Sequence, residues 1–274
     1  MNAGEKLRKR LKATPILVAP GVYDSLSALL VERAGFEAAY VSGASISYTS
    51  LGLPDLGFVG LEDVSRVVER ISKVVSLPLI VDADTGYGND LNVRRTVKVL
   101  EAAGADAVQL EDQVFPKKCG HLEGKEVVEE REMLMKIRAA VVARRDALIV
   151  ARTDALTVLG VEEAVRRANL YLEAGADVAF VESPRTLEEL SVIGRSVRGM
   201  KMANMVEGGK TPLVPARKLE EMGFQLVIFP GAAVRTLVRA LTEMLSALKA
   251  DGTTEGYLTR MVTFSELQKI LGGV

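Results

Sequence analysis

Residues 101–112 read EAAGADAVQLED: a helix end, a glycine, then a short apolar run that closes on acids. The same design returns as ERAGFEAAYVSG at 32–43, LEAGADVAFVES at 172–183 and EEMGFQLVIFPG at 220–231. Gly35, Gly104, Gly175 and Gly223 stand where a helix end turns through the left-handed region. The runs behind them are too short for helices and too uniformly apolar for strands with one wet face, so they read as buried parallel strands. Matching runs lie between them: PILVAP at 15–20, PLIVDAD at 78–84, ALIVART at 147–153 and MKMANM at 200–205. Together they predict eight strands, near 16–19, 38–42, 78–82, 106–110, 147–151, 177–181, 200–204 and 225–229. Helical patterns fill gaps at 61–75, 89–103, 130–145, 160–174 and 232–249. Eight unbroken βα units predict one (β/α)8 barrel over 1–274, ending in a C-terminal helical extension. A doubly wound open sheet is the alternative. The count of eight speaks against it, and so does the absence of a dinucleotide fingerprint: GYG at 86–88 is followed by Leu91 where a third glycine is needed.

Composition narrows the class. A net charge of −1 gives no bulk reason to expect nucleic acid or an anionic membrane as partner. No run approaches the roughly 18 apolar residues of a membrane span. The basic start MNAGEKLRKRLKATP has no apolar segment behind it and does not read as a signal peptide. A single cysteine fits a reducing compartment, so the expectation is a soluble cytoplasmic protein.

The strand ends carry the chemistry. After the first strand comes Tyr23-Asp24, after the second Ser42-Gly43-Ala44, and the third closes on Asp82-Ala83-Asp84. The fourth ends in Glu111-Asp112, the fifth in Arg152-Thr153-Asp154, the sixth in Glu182 and the seventh in Asn204. In a barrel these converge on one mouth, the face where such folds bind and react. Helix capping would explain any single Asp, Ser or Asn among them, but not a set that includes Glu, Arg and paired Asp. Asp82, Asp84, Glu111 and Asp112 would repel one another unless a cation intervened. Oxygen-only donors suit Mg²⁺, with Mn²⁺ as substitute; zinc would find only one histidine and one cysteine in the chain.

Two connections are long, 43–60 and 111–129, and both leave the mouth; such loops are often lids. The second contains KKCGH, with the only cysteine, Cys119, and the only histidine, His121, of the chain. Polar flanks argue against a buried structural cysteine, and Lys117, Lys118 and His121 are neighbours of the kind that lower a thiol pKa. Cys119 is therefore expected to act as an acid or base, tuned by His121. EGGKTP at 207–212 imitates a phosphate loop, but Asn204 stands where that motif needs glycine.

DADTGYG, EDQVFPKKCGH, ARTDA and ANMVEGGKTP, in this order and spacing, resemble the isocitrate lyase / phosphoenolpyruvate mutase superfamily from about Pro20 to Leu267. The likeness is strongest to its short-chain branch of 2-methylisocitrate lyases, 2,3-dimethylmalate lyases, the petal death lyase and carboxyphosphonoenolpyruvate mutases. It implies a tetramer whose barrels exchange their eighth helices. It implies Mg²⁺ near Asp84, with Asp82 and Glu111 reached largely through water. Ser42, Gly43, Ala44 and Asp55 would hold the acid substrate, together with Gly120 and Asn204. Tyr23, Lys117, Cys119, His121, Arg152 and Glu182 would serve the reaction, with Cys119 on a mobile lid. The implied activity is C–C cleavage of a 2-alkylmalate or methylisocitrate-type acid. A phosphonomutase, an oxaloacetate-hydrolysing relative and a non-catalytic interaction protein are the alternatives. Val206-Glu207-Gly208-Gly209-Lys210 departs from the methylisocitrate lyases, and PGAAVR at 230–235 departs from the commoner run near strand eight.

Overall fold

The structure is a computed structural model that describes residues 3–272. Eight strands alternate with helices: β1 Leu17–Val22, β2 Ala39–Val41, β3 Leu79–Asp82, β4 Ala107–Glu111, β5 Leu148–Thr153, β6 Val178–Val181, β7 Met200–Asn204 and β8 Leu226–Phe229. Each pairs in parallel with its sequence neighbours, and β8 returns to β1 with Leu17 opposite Leu226, which closes the barrel. Gly35, Gly104, Gly175 and Gly223 all have positive φ, as the repeated helix–glycine–strand pattern requires.

The period of two in each strand decides what faces inward. Leu17 and Ala19, Tyr40, Ile80, Ala107, Leu148 and Val150, Val178 and Phe180, Met202, Leu226 and Ile228 fill the barrel interior. The alternate residues, such as Val81, Val108 and Ile149, pack outward in one core beneath helices, and Val181, Ala203 and Val227 do so in another. Two residues past the inward apolar layer, toward the C-terminal ends, the same inward line meets Ser42, Asp82, Gln109, Arg152, Glu182 and Asn204. Glu111 follows two further on, so one geometric rule brings six strand ends, those of β2 to β7, into a polar mouth.

At the opposite end, α1 (Ala3–Leu11) plugs the barrel. Its Leu7 and Leu11 are buried among Leu17, Leu148 and Leu226, and Arg8 pairs with Asp177 at 2.6 Å. The basic N-terminal segment is thus structural, a role its charge did not announce. The outer ring contains α2 (Ser25–Arg33), α4 (Leu61–Ser72), α5 (Asp90–Ala103), α6 (Glu130–Ala143), α8 (Val161–Glu173), α9 (Leu187–Ser196) and α10 (Ala216–Glu221). The long connection at 43–60 is partly helical: α3 (Gly43–Ile46) runs into a π-helical turn, Ser47–Leu51. The connection at 111–129 is drawn together at its base by an antiparallel bridge between Gln113 and Val127.

The last helices behave differently. α11 (Ala232–Asp251) leaves β8, buries only Val234, and carries Leu237, Val238, Leu241, Leu245 and Leu248 on exposed positions. Beyond it lie a 3₁₀ turn, Glu255–Arg260, and α12 (Phe264–Ile270), whose end meets α2 through Arg33 and the Lys269 carbonyl. Among the described residues no helix is long and apolar enough to cross a membrane. Because the plug is remote from the mouth, Leu7→Ala is expected to cost about 2–5 kcal/mol of stability. Thermal unfolding would show it as a lowered midpoint, with KM for any substrate unchanged.

Candidate active site

A cavity of about 120 Å³ opens at the C-terminal mouth, lined by Ser42, Ala44, Asp55, Asp82, Lys117, Cys119, Gly120, His121, Arg152, Glu182 and Asn204, among others. Eleven of the residues expected from sequence thus line one space. Asp84, Glu111 and Gly43 stand directly behind it. Asp84 meets Lys117 at 2.8 Å and Glu111 meets Arg152 at 3.2 Å. A Cβ on Gly43 would lie 3.3 Å from Asp82 Oδ2, so the start of α3 packs close on that carboxylate.

Arg152 is the centre of the charge arrangement. Its Nε and Nη2 donate to the two oxygens of Asp154 at 2.8 and 3.0 Å, a bidentate pair, while Nη1 faces Glu111 at 3.2 Å and Glu182 at 3.7 Å. Glu182 Oε2 also accepts from Asn204 Nδ2 at 3.1 Å. Burial pushes the Glu182 carboxyl up, but Arg152 and His121 outweigh it and hold the group below the ordinary range. The same guanidinium, with Lys125, holds Asp154 at about 2 against the upward push of burial.

The acids around Asp84 are less well served. Asp82 Oδ1 accepts from Gln109 Nε2 at 3.1 Å and from the Asp84 N–H at 3.2 Å, and Gln109 is fixed in turn by Tyr40 Oη. Lys117 Nζ sits between Asp55 at 2.6 Å and Asp84 at 2.8 Å. Asp84 Oδ1 and both Glu111 oxygens are nevertheless buried without a hydrogen bond. Burial lifts Asp84 to about 6, with Lys117 pulling it back and Asp82 adding to the rise; burial also lifts Glu111 well above its usual range. Six carboxylates (Asp55, Asp82, Asp84, Glu111, Asp154, Glu182) face three cations (Lys117, Lys125, Arg152). That surplus and the orphaned oxygens fit a divalent cation. Among the described residues no three His, Cys, Asp or Glu side chains form a cage. The donors therefore suit Mg²⁺, which keeps several waters and takes only one or two carboxylates, better than a metal that needs a complete protein shell.

The connection 111–129 lies across the mouth. A Cβ on Gly120 would come within 2.6 Å of Arg152 Nη2 and Glu182 Cγ, so only glycine lets the tip seat this deeply. His121 Nδ1 accepts from the Lys210 backbone N–H at 3.0 Å. That assigns the neutral ring with its proton on Nε2, which faces Glu182 Oε1 at 3.4 Å. Burial, the largest influence, pulls the imidazole pKa down and agrees with a neutral ring.

Three expectations need correction. Tyr23 does not line the cavity; it packs in the outer core and borders a separate hollow with Asp24, Thr49 and Arg70. Asp112 is not part of the metal set. It follows the inward Glu111 and so points outward, accepting from Thr153 Oγ1 at 2.7 Å, Tyr171 Oη at 2.8 Å and Arg167 Nη1 at 3.2 Å. Nor do the lysines activate the thiol. Lys117 is held by two aspartates, and Lys118 Nζ turns out to the Gly124 carbonyl. Burial pushes the Cys119 thiol up, the His121 backbone N–H pulls it back, and Asp55 and Glu182 add to the rise.

Sequence reading also missed residues. Tyr48, Val206 and Arg235 line the cavity. Lys210, in the run that imitates a phosphate loop, instead fixes His121, and a Cβ at Gly209 would press to 2.8 Å from His121 Nδ1.

The model of the phosphoenolpyruvate phosphomutase family matches residues 7–249. The chain belongs to this family. It is 44% identical to the 2,3-dimethylmalate lyase of Eubacterium barkeri, covering 99% of this chain and 95% of that one. It is 49% identical to the 2-methylisocitrate lyase of Aeropyrum pernix, covering 98% and 87%. A crystal structure of 2,3-dimethylmalate lyase, a member of the PEP mutase/isocitrate lyase superfamily, superposes with a TM-score of 0.94 at 40% identity, over 99% of this chain and 92% of that one. Phosphonopyruvate hydrolase in complex with oxalate and Mg²⁺ superposes with a TM-score of 0.89 at 32% identity, over 99% and 95%.

Family membership thus joins a chain whose named relatives include lyases to a site in which burial pushes the thiol pKa up. Alkylation of Cys119 by iodoacetamide, followed by intact mass, is expected to be slow at neutral pH, with its inflection above the ordinary thiol range. An inflection below about pH 8 would mean an activated thiolate instead.

Proposed function

We propose that this protein is a Mg²⁺-dependent carbon–carbon lyase. It cleaves a 2-alkylmalate or methylisocitrate-type 2-hydroxy acid into an α-keto acid and a second carboxylate. The observation that carries the reading is the seat of Cys119 on the connection across the mouth, at a cavity that Arg152, Glu182 and Asn204 also line, where burial pushes the thiol pKa up. A thiol that must deliver a proton to a carbanion needs this state; a nucleophile or thiolate base would need the opposite.

Ser42, Gly43 and Ala44 begin α3, where first-turn N–H groups lack helical partners and favour an anion; a substrate carboxylate would bind there. Asp84, with Asp82 and Glu111 beside it, would hold Mg²⁺. The ion would supply a fixed positive charge for the 2-hydroxyl and its neighbouring carboxylate. A carboxylate of the mouth takes the 2-hydroxyl proton. The C2–C3 electron pair moves to C3 as C2 becomes a ketone. The carbanion, delocalised into its own carboxylate, takes the proton of Cys119. Arg152 faces the charge that develops, and Asn204 Oδ1, buried and without a partner, is available to a substrate donor. Lys117 keeps Asp55 and Asp84 in place. Closure of 111–129 excludes water once substrate is bound. Phosphonate mutation in the same site would leave the Cys119 proton without a use.

The quaternary state we propose is a cytoplasmic homotetramer in which α11 packs on a neighbouring barrel. Its exposed leucine stripe has no cover in the single chain, and Leu26 and Leu30 on α2 are exposed as well.

A panel of 2-methylisocitrate, 2,3-dimethylmalate, 2-methylmalate, oxaloacetate and a phosphonopyruvate, assayed with Mg²⁺, is expected to give α-keto acid from an alkylated malate and no activity after EDTA. Turnover of the phosphonate alone would sink the lyase reading. Cys119→Ser is expected to lower kcat by about 10²–10⁴-fold with KM little changed. Analytical ultracentrifugation should show four 29.5 kDa chains together, and Leu241→Asp with Leu245→Asp should separate them. A wild-type monomer would refute the exchanged helix.

A further inference from the structure

The lid is fastened by groups that never reach the cavity. The carbonyl of Gly120, between Cys119 and His121, faces two side-chain donors: Lys125 Nζ at 2.5 Å and Ser183 Oγ at 2.9 Å. Lys125 Nζ also meets Asp154 Oδ1 at 2.7 Å, and the two side chains are 1% and 0% exposed. Asp154 is at the same time the bidentate partner of Arg152. One carboxylate therefore ties a cation that belongs to the lid to the cation that faces the reacting centre. Ser183 holds φ of 58°, a left-handed conformation that is unfavourable for serine. That turn places its Oγ 2.8 Å from Glu182 Oε1 and 3.4 Å from His121 Nδ1, as well as on the Gly120 carbonyl.

We propose that Lys125 and Ser183 form the latch of the lid. They are positioning residues that fix Cys119 and His121 by clamping the carbonyl between them, in register with the Asp154 that orients Arg152. Burying an ammonium is costly unless it is both paired and hydrogen-bonded. When the lid lifts, Lys125 returns to water while Asp154 keeps Arg152, so the open state leaves neither charge stranded. When it closes, the desolvation of Lys125 is offset only if Asp154 and the Gly120 carbonyl are met together. A lid resting an ångström away meets neither, so the latch favours one closed geometry. A lysine that merely stiffened the loop would need only the Gly120 carbonyl, from its own loop; the Asp154 contact is what makes it a latch.

This inference rests on the reading of 111–129 as a lid that closes over a metal-bound acid, and its test separates the two. Hydrogen exchange of the amides of 113–127 is measured in the free protein and with saturating Mg²⁺ and oxalate; the ratio of the two rates is the closing increment. The wild type is expected to show a clear increment. Lys125→Met should reduce it about tenfold, the scale of one charge-assisted hydrogen bond, and Ser183→Ala about threefold. Exchange in β1 and β8 serves as the fold control. In turnover, both variants should lose kcat with a smaller change in KM. An unchanged increment overturns the latch, whether lid exchange is unaltered or equally faster in both states, because a stiffening role would act with and without ligand. Should Lys125→Met not fold, Ser183→Ala, which removes only a hydroxyl, is judged by the same ratio. Absence of an increment in the wild type would refute the lid itself, and the latch with it.

Discussion

The buried guanidinium of Arg152 is the interaction on which the mouth of this barrel depends. It comes from β5, with Glu111 of β4 opposite it in register on one side and Glu182 following β6 on the other. Asp154 takes its other edge in a bidentate pair. Burial opposes ionisation of all four groups. Mutual attraction prevails for Arg152, Asp154 and Glu182, whereas burial still lifts Glu111. Removal of its charge would leave three desolvated carboxylates facing one another, a far more costly state than loss of one surface ion pair. Arginine alone can do this, because it stays charged and forms two parallel bonds to Asp154 while a third nitrogen faces the cavity.

From this fixed charge the rest of the site follows in two directions. Toward β3 the cations run out. Lys117 compensates Asp55 and Asp84 and Arg152 faces one Glu111 oxygen, but Glu111 Oε1 is buried with neither a hydrogen bond nor an ion pair. Toward the lid, Asp154 passes the register of Arg152 on to Lys125, and Glu182 receives His121. The half of the site in which each carboxylate meets a cation is thus the half that clamps the lid. The half left electrostatically incomplete is where a metal and an acid would enter.

Much of this was legible in the residues. The helix–glycine–strand unit located the barrel because a left-handed turn and a doubly buried strand each leave a compositional mark. The sites at the strand ends followed from the fold. The errors came where the reading stopped short of the alternation. Asp112 follows an inward Glu111 and must face outward; Gln109 precedes it by two and must face inward, where it supports Asp82. The run at 207–212 only imitates a phosphate loop, and its contact, a backbone N–H from Lys210 on the ring of His121, joins residues 89 positions apart.

The sequence by itself determined the barrel, its mouth and the residue types gathered there, because periodicity and helix-end chemistry are local properties written into neighbouring residues. Only the tertiary structure decided the state of those residues. Whether the lone cysteine rests as thiol or thiolate depended not on the lysines beside it in the chain but on which carboxylates captured them. In KKCGH, Lys117 is drawn to Asp55 and Asp84, Lys118 turns to the Gly124 carbonyl, and burial governs the thiol. Charge and desolvation act through space, and proximity along the chain does not reveal them.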